Sequence, residues 1–269
     1  MNKRIKDPRA FDIFGNIALT KFPRETKLKQ KKDFANDILK RYRSVTTVLE
    51  KTRGFQGRLR KQETKHLAGE KTKEALYTEN GCTFRLNLDK TYFSPRLSSE
   101  RKEIAEKVKN RDSVLVMFAG VAPYPIVIAK NSRAKIIYSN EINREANKYA
   151  EKNIELNKLK NKVFLLPGDV KKVSEKIKYL KEIPKTFDVI VMPRPQLKDT
   201  FLKEAFKLSK KGTRIFYYDF CKEDETDIIL DKIKDEAKKA KKQIKILKTK
   251  RAGEIAPYKM RIRVDFKVL

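Results

Sequence analysis

The chain has 269 residues, with 66 Lys or Arg against 35 Asp or Glu, a net charge of +31. A hydrophobic content of 39% supplies a core, so the charge sits on folded surface, and repulsion on that scale points to a polyanionic partner, nucleic acid before a membrane surface. Two cysteines and one histidine exclude a disulfide framework and the usual Cys/His zinc sites, and make His66 the only imidazole for nucleophilic catalysis, a role not expected of it.

No stretch is long and apolar enough for a membrane span, and the basic N-terminus lacks an apolar leader segment, so a cytoplasmic protein is expected. After a charged start, Phe11 to Pro23 reads as two short strands around a Gly-Asn turn. Lys27 to Tyr42 is a basic amphipathic helix with Phe34, Ile38 and Leu39 on one face. Val45 to Lys51 is a strand, Arg53 to Gly57 a turn, and Arg58 to Gly69 a basic strand. Glu74 to Tyr77 and Cys82 to Leu88 read as paired strands, so residues 1–90 are expected to form a small α+β domain that meets the substrate.

A connector over residues 91–110 follows, ending in a helix from Glu100 to Lys109. From residue 111 to 269 strands and helices alternate. The strands are Val114 to Val121, Ala134 to Asn140, Val163 to Leu166, Phe187 to Met192 and Thr213 to Phe220. Helices are expected over Arg144 to Leu159, Val173 to Leu180, Leu197 to Leu208 and Asp227 to Lys241. Gln243 to Thr249 and Met260 to Val268 close as a hairpin. Such alternation predicts an α/β fold, a Rossmann-like seven-stranded sheet, mostly parallel, with its last strand antiparallel.

In open α/β sheets ligands bind outside the carboxyl ends of the strands. The first of these strands ends in the small-residue turn Phe118-Ala119-Gly120-Val121, where backbone and helix N–H groups can face a ligand. The second ends in Glu141-Ile142, suited to ribose hydroxyls, and the third in Gly168-Asp169-Val170, where a carboxylate can accept from an adenine amino group. Each acid alone also reads as a helix cap or a solvated loop residue. The turn has neither a G-x-x-x-x-G-K-[ST] phosphate loop nor a full G-x-G-x-x-G, so an adenosine cofactor without phosphates, S-adenosylmethionine, fits better than a nucleotide triphosphate or a dinucleotide.

Several segments then resemble one family. Met117 to Tyr124 is similar to the M-F-A-G-V-G-P-F segment of the archaeal and eukaryotic tRNA guanosine-37 N1-methyltransferases, and Tyr92-Phe93-Ser94-Pro95-Arg96-Leu97 with Glu100-Arg101 to their Y-F-S-P-R-L…E-R connector. Glu141-Ile142-Asn143, Asn153 to Asn157, Tyr217 to Phe220, Asp12 to Ala18 and Leu67 to Glu70 match in order and spacing. The resemblance spans nearly the whole chain and implies a class I methyltransferase domain, S-adenosylmethionine as cofactor, and as partner a tRNA carrying G37, such as tRNA-Phe, acted on by a monomer.

Guanine N1 is a poor nucleophile until its proton leaves, so methyl transfer there needs a base, a charge stabiliser for O6 and alignment with the methyl donor. By the resemblance, Glu100 is the base, Arg60 the stabiliser, and Tyr92 a platform for the extruded purine. Arg58, Arg60, Arg96, Arg101 and Arg194 are the candidate RNA contacts. The sequence departs from the family at Val116 (usually Asp), Ala122 (usually Gly) and Pro193, which stands at the Asn of N-L-P in Met192-Pro193-Arg194-Pro195. Pro offers no side-chain donor and no N–H, so Pro193 and Pro195 would wall the site and admit a larger, flatter purine. Archaeal relatives that also methylate C7 of the tricyclic wyosine precursor 4-demethylwyosine resemble the chain there, and a bifunctional or wyosine-directed enzyme is expected. A transferase of the aminocarboxypropyl group, or a tRNA-binding protein with weakened catalysis, stays open, and Pro193 also reads as a plain loop-former.

Overall fold

The computed structural model describes residues 11–193, 199–222, 225–256 and 258–269; Arg194 and Pro195 lie outside them. Four strands make the first sheet, β1 (Asp12–Phe14), β2 (Ile17–Thr20), β3 (Thr47–Gln56) and β4 (Lys61–Gly69), in that spatial order. Helix α1 (Leu28–Arg41) is the crossover that lets β2 pair parallel to β3. It buries Ala35 and Ile38 against Ala18, Val48 and Leu67, a small core of its own. Strand β3 runs five residues past the expected end, to Gln56, because it pairs antiparallel with β4 as far as Gln56–Lys61. The turn therefore falls at 57–60. Arg58 and Arg60 are turn residues rather than strand residues, and Arg60 takes a positive φ of 50°.

The hairpin β5 (Glu74–Glu79) and β6 (Cys82–Asn87) pairs with neither large sheet. Two asparagines at i and i+4 on one helix replace the missing neighbour. They project from α4 (Arg144–Leu156) and its C-cap. Arg85 N donates to Asn153 Oδ1 (2.7 Å) and Asn153 Nδ2 to Arg85 O (3.0 Å), while Thr83 N donates to Asn157 Oδ1 (3.0 Å) and Asn157 Nδ2 to Thr83 O (2.7 Å). Edge N–H and C=O groups that would otherwise be buried unpaired are thereby satisfied. Phe84 and Leu86 pack into the same core as Val114 and Val116, so packing runs on across the expected boundary near Lys90.

The seven-stranded sheet has the order β12-β13-β11-β10-β7-β8-β9. Its members are β7 (Ser113–Val116), β8 (Ile136–Glu141), β9 (Val163–Pro167), β10 (Phe187–Met192), β11 (Ser209–Lys222), β12 (Ile244–Ala256) and β13 (Lys259–Val268). All neighbours from β9 through β11 are parallel, and β13 is antiparallel to β11. Central strands are buried on both faces, which is why they read as unbroken apolar runs. Val114 and Val116 of β7 face α2 (Ser98–Lys107), α3 (Pro123–Asn131) and α4, and Leu115 and Met117 face the opposite core with α5 (Val170–Lys176), α6 (Leu202–Lys207) and α7 (Thr226–Lys239). The chain builds outward from β7 to β9 and returns at β10 on β7's other side. The resulting switch point lies at the carboxyl ends of β7, β8 and β10, where a ligand crevice is expected. Among the described residues no helix is long and apolar enough to cross a membrane.

Candidate active site

Strand β7 has to reverse into α3 within a few residues, and it does so with three left-handed residues, Phe118 (φ 57°), Gly120 (φ 60°) and Ala122 (φ 66°). Only glycine takes that conformation without steric cost. At Gly120 a side chain would also place Cβ 3.2 Å from the carbonyl oxygen of Tyr92. The connector's backbone thus crosses directly over the turn, and together they form one cleft. The turn is held open by the end of β8. Gly120 N donates to Glu141 Oε2 (2.8 Å) and Asn143 N to Glu141 Oε1 (2.8 Å). Each oxygen retains a lone pair, and Glu141 lines the cleft beside Phe118, Ala119 and Gly120.

The opposite wall comes from the small domain and the connector, through Arg58, Leu59, Arg60 and Tyr92, and Pro193 closes the end of β10. Asn143 ties the two walls. Its Oδ1 caps α4 at Glu145 N (3.0 Å) while its Nδ2 donates to Lys90 O (2.8 Å). Asp169 caps α5 through Lys171 N (3.0 Å), and its other oxygen pairs with Arg58 Nη2 at 2.6 Å. Burial alone would raise the Asp169 carboxyl, but Arg58 and the Lys171 N–H outweigh it and hold it below the usual carboxylate range.

Arg60 stacks its guanidinium 4.1 Å from the Tyr92 ring centroid and 5.4 Å from that of Phe55. Burial lowers its pKa, with Arg261 nearby adding to the effect. No carboxylate among the described residues pairs with it. A desolvated, uncompensated guanidinium against aromatic faces is an anion-seeking group.

Glu100 is placed differently from its sequence expectation. It is 5% exposed and lines neither wall of the cleft. Its Oε1 accepts from Lys250 (2.7 Å), and its Oε2 from Arg263 Nη1 (2.6 Å) and Tyr218 Oη (3.0 Å). Buried Asp265 and half-buried Glu103 and Lys107 complete a charge cluster around Arg263. Burial alone would lower the Arg263 pKa, and its bonds to Glu103 and Asp265 raise it well above the ordinary value. The link from Glu100 to the cleft is a pair of hydroxyls: Tyr218 Oη meets Tyr124 Oη at 3.2 Å, and Tyr124 lines the cleft.

Arg101 needs correction as an RNA contact. Its side chain is 1% exposed and forms a bidentate pair with Glu79, with Nη2 at 2.6 Å from Glu79 Oε2, and Nη2 also donates to Ser94 O (3.0 Å). A buried, paired guanidinium fixes the connector and cannot reach a phosphate. The side chains of Val121 and Val170 are core residues and could meet a ligand only through backbone, and Ile142 is half-buried off the cleft. Arg96 is exposed and pairs with Asp12 (2.8 Å). Asn143 went unassigned in the sequence although an Asn just before a helix is a capping signal; Phe55, Tyr124, Tyr218, Lys250 and Arg263 carry no local signal of their place here.

The chain matches the family model of the TRM5/TYW2 methyltransferase domain over residues 75–247, and that of the TYW2 N-terminal domain over residues 2–72. It is 34% identical over 262 residues to the tRNA (guanine(37)-N(1))-methyltransferase Trm5b of Pyrococcus abyssi, covering 97% of this chain and 75% of that protein. It is also 34% identical to the tRNA (guanine(37)-N(1))/4-demethylwyosine(37)-methyltransferase Taw22 of Nanoarchaeum equitans, covering 95% and 98%. The crystal structure of the Pyrococcus abyssi Trm5b superposes with a TM-score of 0.84, covering 97% of this chain and 75% of that one. A complex of aTrm5 with tRNALeu, 29% identical, gives 0.83 over 97% and 72%. With its switch-point cleft, the glycine turn held by Glu141 and a small domain closing over both, the chain belongs to the TRM5/TYW2 methyltransferase family.

Proposed function

We propose that the protein is an S-adenosylmethionine-dependent tRNA methyltransferase acting on the purine at position 37, at guanosine N1 and at C7 of 4-demethylwyosine. The observation that carries this reading is the two-sided cleft, with Glu141 and the Gly120 turn on one wall and Arg60 and Tyr92 on the other. The residues present fit the cofactor. A turn with no side chain at Gly120, where a Cβ would crowd Tyr92 O, lets an adenosyl group approach the backbone, Glu141 has free lone pairs for ribose hydroxyls, and Asp169 sits at the next strand end. When bound, that cofactor supplies an electrophilic methyl group.

The chain's own residues handle the purine. Tyr92 offers a face for the extruded base, and Arg60, already desolvated, stabilises negative charge on O6 as the N1 proton leaves. Glu100 lies behind the cleft, and the N1 proton reaches it by relay: Tyr124 Oη accepts it and passes its own to Tyr218 Oη, which passes its own to Glu100 Oε2, held in place by Arg263 and Lys250. Pro193 lines the cleft without a donor, so no bond is lost when a tricyclic base replaces guanine. The Taw22 relative, with both activities in its name, supports the double specificity.

The test uses labelled methyl donor with tRNA carrying G37 and, separately, 4-demethylwyosine at 37, followed by mass identification of the nucleosides. Methylated product from both is expected, and Pro193→Asn should shift the ratio toward guanosine. Transfer of an aminocarboxypropyl group, or no transfer at all, would overturn the assignment; wild-type failure on the tricyclic substrate alone would restrict it to guanosine N1.

A further inference from the structure

Behind the Arg60–Tyr92 wall lies a second groove, of about 440 Å³, between the small domain and the β12–β13 hairpin. Four cations line it, Lys51, Arg60, Arg96 and Arg261, with two acids, Asp12 and Glu254; Arg96 pairs with Asp12, and Lys51, Arg60 and Arg261 have no ion-pair partner among the described residues. Arg261 is directly opposite Phe220 in the β11–β13 ladder, its guanidinium 5.5 Å from that ring. Its Nε is buried without a hydrogen-bond partner among the described residues, a state that ordinarily costs free energy. Lys51 lies 4.4 Å from the Phe55 centroid. Burial lowers the pKa of both Lys51 and Arg60; Asp12 and Tyr92 respectively oppose it, and neighbouring cations add to it. Elsewhere in this basic protein buried cations are paired, as Arg101 and Arg263 are. Cations outnumber acids there by four to two, and the three without an ion-pair partner, set against half-buried aromatic faces, repel one another until an anion arrives.

We propose that this groove is a second nucleotide subsite, in which Arg261 and Lys51 clamp a phosphodiester of single-stranded RNA and Phe220 stacks the base attached to it. The inference rests on the tRNA reading above and adds to it. The groove shares Arg60, Tyr92, Phe93 and Ser94 with the cofactor cleft, so an RNA strand that delivers one base into the cleft continues along the groove. The occupant is therefore the nucleotide next to the target. Stacking on an aromatic ring tolerates any base, and the phosphate contact is independent of sequence, so the subsite gives grip rather than discrimination.

The experiment measures affinity of the full chain for an unmodified anticodon stem-loop across a salt series, with calorimetric S-adenosylmethionine affinity as control. Arg261→Ala should weaken binding and reduce the slope of log K against log salt by about 0.7, the share of one single-strand phosphate, and Arg261→Lys should keep the slope. Phe220→Leu should weaken binding about tenfold with the slope unchanged. All three should bind the cofactor like wild type, since neither residue lines that cleft. If wild type binds steeply but Arg261→Ala and Phe220→Leu match it in both affinity and slope, the subsite does not exist. If wild type itself binds weakly with a flat salt dependence, the tRNA reading fails instead.

Discussion

Replacing Glu79 by Gln removes one charge and almost no volume. The partner it abandons, Arg101, is 1% exposed, and its side chain is enclosed by Phe93 and Tyr124, whose ring centroids lie 5.0 and 5.8 Å from the guanidinium. The Gln amide oxygen and the Ser94 carbonyl can still accept from the guanidinium, but neither supplies a counter-charge and no solvent can replace the lost carboxylate. Breaking a buried pair from one side costs about 3–5 kcal/mol, because the surviving charge stays desolvated. At about 2–4 °C per kcal/mol for a chain of this size, Tm should fall by about 6–20 °C. Urea unfolding followed by circular dichroism measures the free energy, and a thermal scan the Tm. The double variant Glu79→Leu with Arg101→Met should recover most of the loss, since well-packed apolar replacements of buried pairs are often neutral. A single-variant loss below about 1 kcal/mol would refute the reasoning, because that is the range of a solvated surface pair. The pair joins β5 to α2, so the same variant should lower methyl transfer by loosening the connector that carries Tyr92.

Gly120→Ala must hold alanine at φ 60° with Cβ 3.2 Å from Tyr92 O; strain of about 1–2 kcal/mol should appear as reduced stability together with weaker cofactor binding, and unchanged calorimetric affinity would mean that the turn is no cradle. Glu141→Ala should weaken S-adenosylmethionine binding by about 1.5–3 kcal/mol, the worth of charge-assisted hydrogen bonds, and leave tRNA affinity intact; equal loss of both would make Glu141 a folding residue. The hydrogen bond from Arg263, aided by Lys250, holds the Glu103 carboxyl at about 2, below its ordinary 4.5. Its stabilisation is thus complete above about pH 4.5 and is lost as pH falls toward 2. Glu103→Gln should therefore flatten the acid limb of the stability profile, and superimposable limbs for the two proteins would remove the argument.

Local pattern determined the elements, since periodicity and turn chemistry are properties of neighbours in the chain. The apolar run at Val114 to Val116, the glycine turn after it and the acids at Glu141 and Asp169 were legible because strands buried on both faces read as continuous hydrophobic stretches and ligand-binding ends follow them. The parallel β2–β3 pairing and the docking of the β5–β6 hairpin on Asn153 and Asn157 were decided only by partners distant in sequence. The same holds for the charges. Nothing near Arg101 in the sequence says that it is buried, because Glu79 and two aromatic rings settle that. Nothing near Glu100 says that Arg263 and Lys250, about 150 residues on, will surround it. A side chain's reach and periodicity are local, but its desolvation and its counter-charge are set by whatever the fold brings against it.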